Sequence, residues 1–118
     1  MSTSNDGRQY APATERNREA ILQVLQRVLP PSGTVLEVGS GTGEHAIFFT
    51  SWLYPRKWLP SDPNPLSRDS IAAWQAYSPV DNLYSPLDLD VGAEVWPIEV
   101  DGQLKSYDIT AIVSINMI

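Results

Sequence analysis

The chain has 118 residues and a formal net charge of −6, with 42% hydrophobic and 19% charged residues, the make-up of one small globular domain. No apolar run reaches the ~20 residues of a membrane span and the polar start, Met1 to Gly7, holds no signal-peptide core, so the expectation is a cytoplasmic protein with no membrane partner. The absence of cysteine excludes disulfides and thiolate metal sites, and the single histidine disfavours a zinc site. The eight basic residues form no stripe, which disfavours nucleic acid and favours a small-molecule partner.

Residues 1–9 read as a disordered polar tail. From Thr14 to Leu29 the residues Ile21, Leu22, Val24, Leu25, Val28 and Leu29 recur at helical spacing, with Thr14 as the expected N-cap and Pro30-Pro31 as the stop. Thr34 to Val38 is a short apolar strand interrupted by Glu37. It runs into Gly39, Gly41 and Gly43, and then into a helix carrying Ala46, Ile47, Phe48, Phe49, Trp52 and Leu53, with Pro55 just past its end. Lys57 to Ser61 is a second strand, Asp62-Pro63-Asn64-Pro65 a turn, and Ser67 the expected cap of a helix with Ile71, Ala72, Trp74 and Ala76. A third strand is expected over Leu83–Leu87 and a short helix over Val91–Trp96. Ile98 to Lys105 carries the Asp-Gly signature of a hairpin, and Tyr107 to Ile115 is a fourth strand, expected to be central and covered on both faces. Alternating strands and helices predict an α/β domain with a parallel sheet.

The glycine loop carries the chemistry. Without a Cβ, Gly39, Gly41 and Gly43 can take positive φ and let a ligand lie against the main chain at the open end of a parallel sheet, where nucleotide-like cofactors bind. A P-loop requires Lys and then Ser or Thr after its last glycine; Glu44 and His45 stand there instead. A dinucleotide fingerprint counted from Gly39 requires glycine where Glu44 stands, and a carboxylate at the start of a helix repels a pyrophosphate. The site therefore suits a cofactor without phosphate at that point. S-adenosylmethionine is one: Glu37 can serve its ammonium and the glycine amides its carboxylate. A ribose-binding carboxylate is due about 20 residues on. Asp62 lies nineteen residues beyond Gly43, and Asp88 follows the third strand, at the expected adenine edge. Each of these acids taken alone is more often a cap or a solvated loop residue; three in register point to the site.

The run from Leu36 to Gly43 resembles motif I of the class I methyltransferases. Together with Tyr10 to Asn17, Trp58 to Asp62 and Ser114 to Ile118, it makes residues 10–118 resemble the methyltransferase-like protein 26 family. The resemblance implies a Rossmann-like class I methyltransferase fold, a three-layer αβα arrangement around a parallel sheet, with S-adenosylmethionine as cofactor and no defined substrate. It implies that Glu37, Gly39, Gly41 and Gly43 line the methionine side, that Asp62 holds the ribose and Asp88 the adenine, and that Asn116 faces the transferred methyl, although a strand-end turn residue would also fit at 116. Arg16 and Asn17 would lie near the methionine carboxylate, although a helix-surface role fits them at least as well. Family members continue past the segment similar to Ser114 to Ile118, so the expectation is an amino-terminal part, cut after the fourth strand, whose open strand edge invites self-association. No Pro-Pro-aromatic sequence follows Asn116, which argues against amino-methylation of nucleic-acid bases or glutamine. His45 is expected to be packed rather than catalytic, and Trp52, Trp58, Trp74 and Trp96 to be core. Two other readings are a noncatalytic protein that uses the same fold for partner binding and a nicotinamide-dependent oxidoreductase; the glycine spacing disfavours the latter.

Overall fold

A computed structural model describes residues 2–3, 6–10, 12–94, 99–100, 103–104 and 107–115. The amino-terminal region, expected to be a tail, contains an antiparallel pair, β1 (Ser2–Thr3) with β2 (Gln9–Tyr10). Helix α1 (Pro12–Val28) follows, ended by the two prolines at 30 and 31 that cannot continue its hydrogen bonding. Next come β3 (Thr34–Val38), α2 (Glu44–Trp52), β4 (Lys57–Pro60) and α3 (Pro65–Tyr77). Strands β5 (Glu99–Val100) and β6 (Gln103–Leu104) pair antiparallel in the register of the expected hairpin. Strand β7 (Ile109–Ser114) is the last element among the described residues. Among the described residues no helix is long and apolar enough to cross a membrane.

The main sheet is parallel and three-stranded, in the order β4-β3-β7. The first strand of the unit lies in the middle, with its successor on one side and the last strand on the other, so the strand order reverses at β3. That is the arrangement of a Rossmann-like α/β domain. Between Thr34 and Val35 the β3–β7 register shifts by one residue, with Thr34 opposite Ile109 and Val35 opposite Ala111. The extra residue, Thr110, lies in a bulge, which turns Ile109 and Ala111 toward opposite faces.

Two clusters make the core. On one face Leu22, Leu25 and Leu29 of α1 and its end, Ala46 and Phe49 of α2, and Leu53 just past α2 pack on Val35 and Trp58, with Ala111, Val113 and Ile115 at the margin. On the other, Leu36, Val38 and Leu59 are covered by Leu89, Tyr84, Leu87, Tyr107 and Ile109. No helical residue belongs to this second cluster, so the expected three layers reduce, among the described residues, to helices on one face and irregular chain on the other.

Several expectations are corrected: α1 begins at Pro12, so Thr14 lies inside the helix rather than capping it, and Trp52, expected in the core, is 61% exposed. Leu83–Leu87 is not a strand but touches β4 through two isolated parallel bridges, Trp58 with Leu83 and Ser61 with Leu87. Trp58 N–H donates to Asn82 and Tyr84 N–H to Trp58, but the next rungs would need N–H groups from Pro60 and Pro86, which have none. The outer chain therefore takes one extra residue before Leu87 N–H reaches the Pro60 carbonyl at 3.0 Å. Helix α3 is capped by Asn64, whose side chain accepts from Leu66 N–H, with Pro65 opening the helix; Ser67 lies inside it and is buried. Residues 91–94 of the expected short helix form a turn in which Gly92 N–H donates to Asp90 Oδ1, and 95–96 lie outside the described residues. Finally, β7 is not buried on both faces: its residues alternate half-buried and exposed, and Ile112 is 57% exposed.

Candidate functional site

The glycine loop joins the carboxyl end of β3 to α2, at the point where the strand order reverses. Open α/β sheets bind ligands in the crevice outside that point. All three loop glycines are left-handed, with φ of 64° at Gly39, 62° at Gly41 and 91° at Gly43, a conformation that side chains with a Cβ resist. Gly43 is also tightly placed, since an added Cβ would lie 3.0 Å from the Ile71 backbone of α3.

Short polar side chains pin the loop to β4 and α3. Ser40 N–H donates to the Ser61 carbonyl at 2.8 Å and Ser61 N–H to Ser40 Oγ at 3.0 Å, while Ser61 Oγ donates to the Glu37 carbonyl at 2.7 Å. The buried Ser70 hydroxyl donates to the Thr42 carbonyl at 2.6 Å. Thr42 Oγ1 accepts from Glu44 N–H at 3.3 Å and donates to the Glu44 carboxylate at 3.2 Å. The start of α2, where a helix dipole would otherwise attract a phosphate, is thus occupied by the chain's own acid and hydroxyl.

Asp62 comes directly to the loop. Its Oδ2 accepts from Gly41 N–H at 3.0 Å and its Oδ1 from Asn64 N–H at 2.9 Å, and each oxygen keeps further acceptor capacity. The Gly41 amide, expected to face a ligand carboxylate, is engaged by Asp62 instead. Asp88 stands at the same end of the sheet with its side chain 70% exposed and paired with Arg68 at 3.2 Å. Arg68 also donates to the main-chain carbonyls of Asp62 and Pro63, both at 3.0 Å, tying the Asp88 carboxylate to the backbone that follows β4.

Glu37 lies on the helical face of β3 and is fully buried, one oxygen accepting from the Trp58 indole N–H at 3.1 Å and Oε2 without a hydrogen-bond partner. Burial pushes its carboxyl up to about 7, against the opposing pull of its hydrogen bonds with Ser40 and Trp58, and the nearby Asp62 charge adds to the rise. His45, in the first turn of α2, is buried and stacked on Phe49 with ring centroids 5.1 Å apart; burial, with the Arg18 charge behind it, lowers its pKa and keeps it neutral. That is a packed histidine, as its sequence position suggested.

The structure therefore brings Glu37, Gly39, Gly41, Gly43 and Asp62 together, with Asp88 at the rim. Arg16 and Asn17 are exposed on α1. Asn116 lies outside the described residues. Sequence reasoning missed Ser40, Ser61, Thr42 and Ser70. Ser40 and Thr42 alternate with the glycines and could have been read as loop-pinning groups, but no local pattern announces Ser70. Among the described residues no group of three acidic or histidine side chains could hold a metal ion. A concavity of about 590 Å³ beside the start of β4 is lined by Thr50, Ser51, Tyr54, Pro79, Asp81 and Asn82, with Asp81 its single charged side chain. Its Asn82 amide is spent on the carbonyls of Thr50 and Arg56, at 2.8 and 3.0 Å.

The model of one protein family, described as a protein of unknown function (DUF938), matches residues 8–118, and the chain belongs to that family.

Proposed function

We propose that this member of the family carries the cofactor-binding part of an S-adenosylmethionine-dependent methyltransferase with a small-molecule acceptor. The observation that carries the reading is the set of three left-handed glycines at the switch point with Asp62 bonded to their central amide. Such a loop admits a ligand against the main chain, and Asp62 retains lone pairs for a ribose hydroxyl. The acid and hydroxyl at the start of α2 favour a cofactor without phosphate there over a dinucleotide. Bound there, the cofactor would supply a methyl group already activated by its sulfonium. The protein's part is then to align donor and acceptor and exclude water, and a base is needed only for an acceptor that must lose a proton.

Isothermal titration of the purified chain with S-adenosylmethionine, its demethylated product and NAD tests the reading. Binding of the first two and not the third is expected. Asp62→Ala should weaken that binding by about 1.5–3 kcal/mol, roughly tenfold or more, by removing a charge-assisted bond. Equal affinity for wild type and Asp62→Ala, with both folded by circular dichroism, takes Asp62 out of the site; preference for NAD overturns the proposal. Binding without methyl transfer to any acceptor in a small-molecule library would favour the noncatalytic alternative.

A further inference from the structure

The segment before α1 is joined to the glycine loop through a single buried hydroxyl. Ser70 of α3, 0% exposed, accepts from Gln9 N–H at 2.8 Å and donates to the Thr42 carbonyl in the loop at 2.6 Å. Gln9 and Thr42 lie far apart in sequence, on opposite sides of that one oxygen. The segment is held at further points. Gln9's carbonyl accepts from the Trp74 indole N–H at 3.1 Å. The Arg8 guanidinium sits 3.3 Å from the Tyr77 ring centroid, 4.9 Å from Trp74 and 5.7 Å from Tyr10, a cation among three aromatic rings. Asp6 accepts from Arg8 Nε at 2.9 Å and from its backbone N–H at 3.2 Å, across a left-handed Gly7 that makes the turn. On its other side α3 bears on the loop, because Gly43 has no room for a Cβ against Ile71.

We infer that residues 6–10 form a strap whose seating on α3 holds the glycine loop in shape, with Ser70 as the positioning residue that connects them. A hydroxyl that accepts from the strap and donates to the loop is polarised by both partners and satisfies a polar group on each. Losing the strap loosens the loop, and losing the loop geometry leaves the Ser70 hydroxyl without its acceptor and weakens the bond it accepts from Gln9 N–H. A ligand that requires the loop in this shape favours the seated strap, and the seated strap favours the ligand by the same factor. The identity of that ligand rests on the function proposed above; the coupling of strap to loop does not.

Backbone amide exchange on the full chain, followed by mass spectrometry without ligand, is the test. Arg8→Ala touches neither Ser70 nor the loop. It should speed exchange across 6–10 and also across 40–44, by about fivefold or more, while β3 and β4 amides keep their wild-type rates. A purely structural weakening would raise exchange everywhere alike. Faster exchange in 6–10 with an unchanged loop overturns the inference, as does an Arg8→Ala protein with both segments unchanged. Ser70→Ala should release both segments; if it proves unfolded, Arg8→Ala alone decides. In a second arm, S-adenosylmethionine should slow exchange in 6–10 of the wild type. No effect together with no measured binding defeats the cofactor reading and leaves the first arm standing, whereas tight binding with no protection of 6–10 defeats the strap.

Discussion

The two faces of the sheet are covered by different materials. On one, α1 and α2 seal Val35, Trp58 and Glu37 beneath hydrogen-bonded helices. On the other, Leu36, Val38 and Leu59 lie under Tyr84, Leu87, Leu89 and Tyr107, which come from chain without helical backbone bonding. Helical cover is cooperative and dry enough to hold a carboxyl near neutrality, whereas irregular cover opens piecemeal and leaves Ile112 on β7 57% exposed. The glycine loop spans the boundary, and its wiring to β4 and α3 stiffens a site whose surroundings are unevenly supported.

Substitutions can break this comparison. Phe49→Ala, at a side chain with no exposure under α2, should cost about 3–5 kcal/mol in urea denaturation. Leu89→Ala, nearly as hidden but within the irregular cover itself, which can collapse into the gap, should fall near the lower end of the leucine range, about 2 kcal/mol. Equal costs would mean that the second face is as rigid as the first.

The dryness of the helical face is measurable through Glu37. Its folded-state pKa of about 7 exceeds the usual carboxylate value, so between pH ~4.5 and ~7 the native protein holds a proton that the unfolded chain releases. Stability from this group is complete below that window and falls as pH rises through it, by on the order of 3 kcal/mol by pH ~8. Glu37→Gln should flatten the dependence in chemical denaturation series from pH 5 to 8; an unchanged slope would place the titration elsewhere. The smallest effect belongs to the exposed rim, where Ile112→Thr, which keeps β-branching on the strand, should shift stability by less than ~0.5 kcal/mol. A loss several times larger would show that β7 is covered in solution, as self-association through that strand would require.

Much of the fold could be read locally. Periodic leucines and a proline pair mark α1, and β-branched residues followed by alternating glycines mark β3 and its loop, because each depends on backbone preferences of neighbouring residues. The spacing from Gly43 placed Asp62 near the loop, and the structure shows its carboxylate bonded to Gly41. The missing strand at 83–87 was not legible, since Pro86 alone permits an edge strand and only pairing across from Pro60 removes two successive rungs.

The sequence by itself determined the helices and strands from α1 to α3, the final strand β7, the left-handed turn and the presence of acids at the strand ends, all consequences of local conformational preference. Tertiary structure decided which of those acids are solvated and which is sealed. Glu37 and Asp88 are the same functional group on paper, yet one is buried against an indole with its pKa raised and the other stands in water beside an arginine. It also decided that Ser70 is shared between Gln9 and Thr42. Desolvation and long-range hydrogen bonding depend on what the rest of the chain brings alongside a residue, which no local pattern contains.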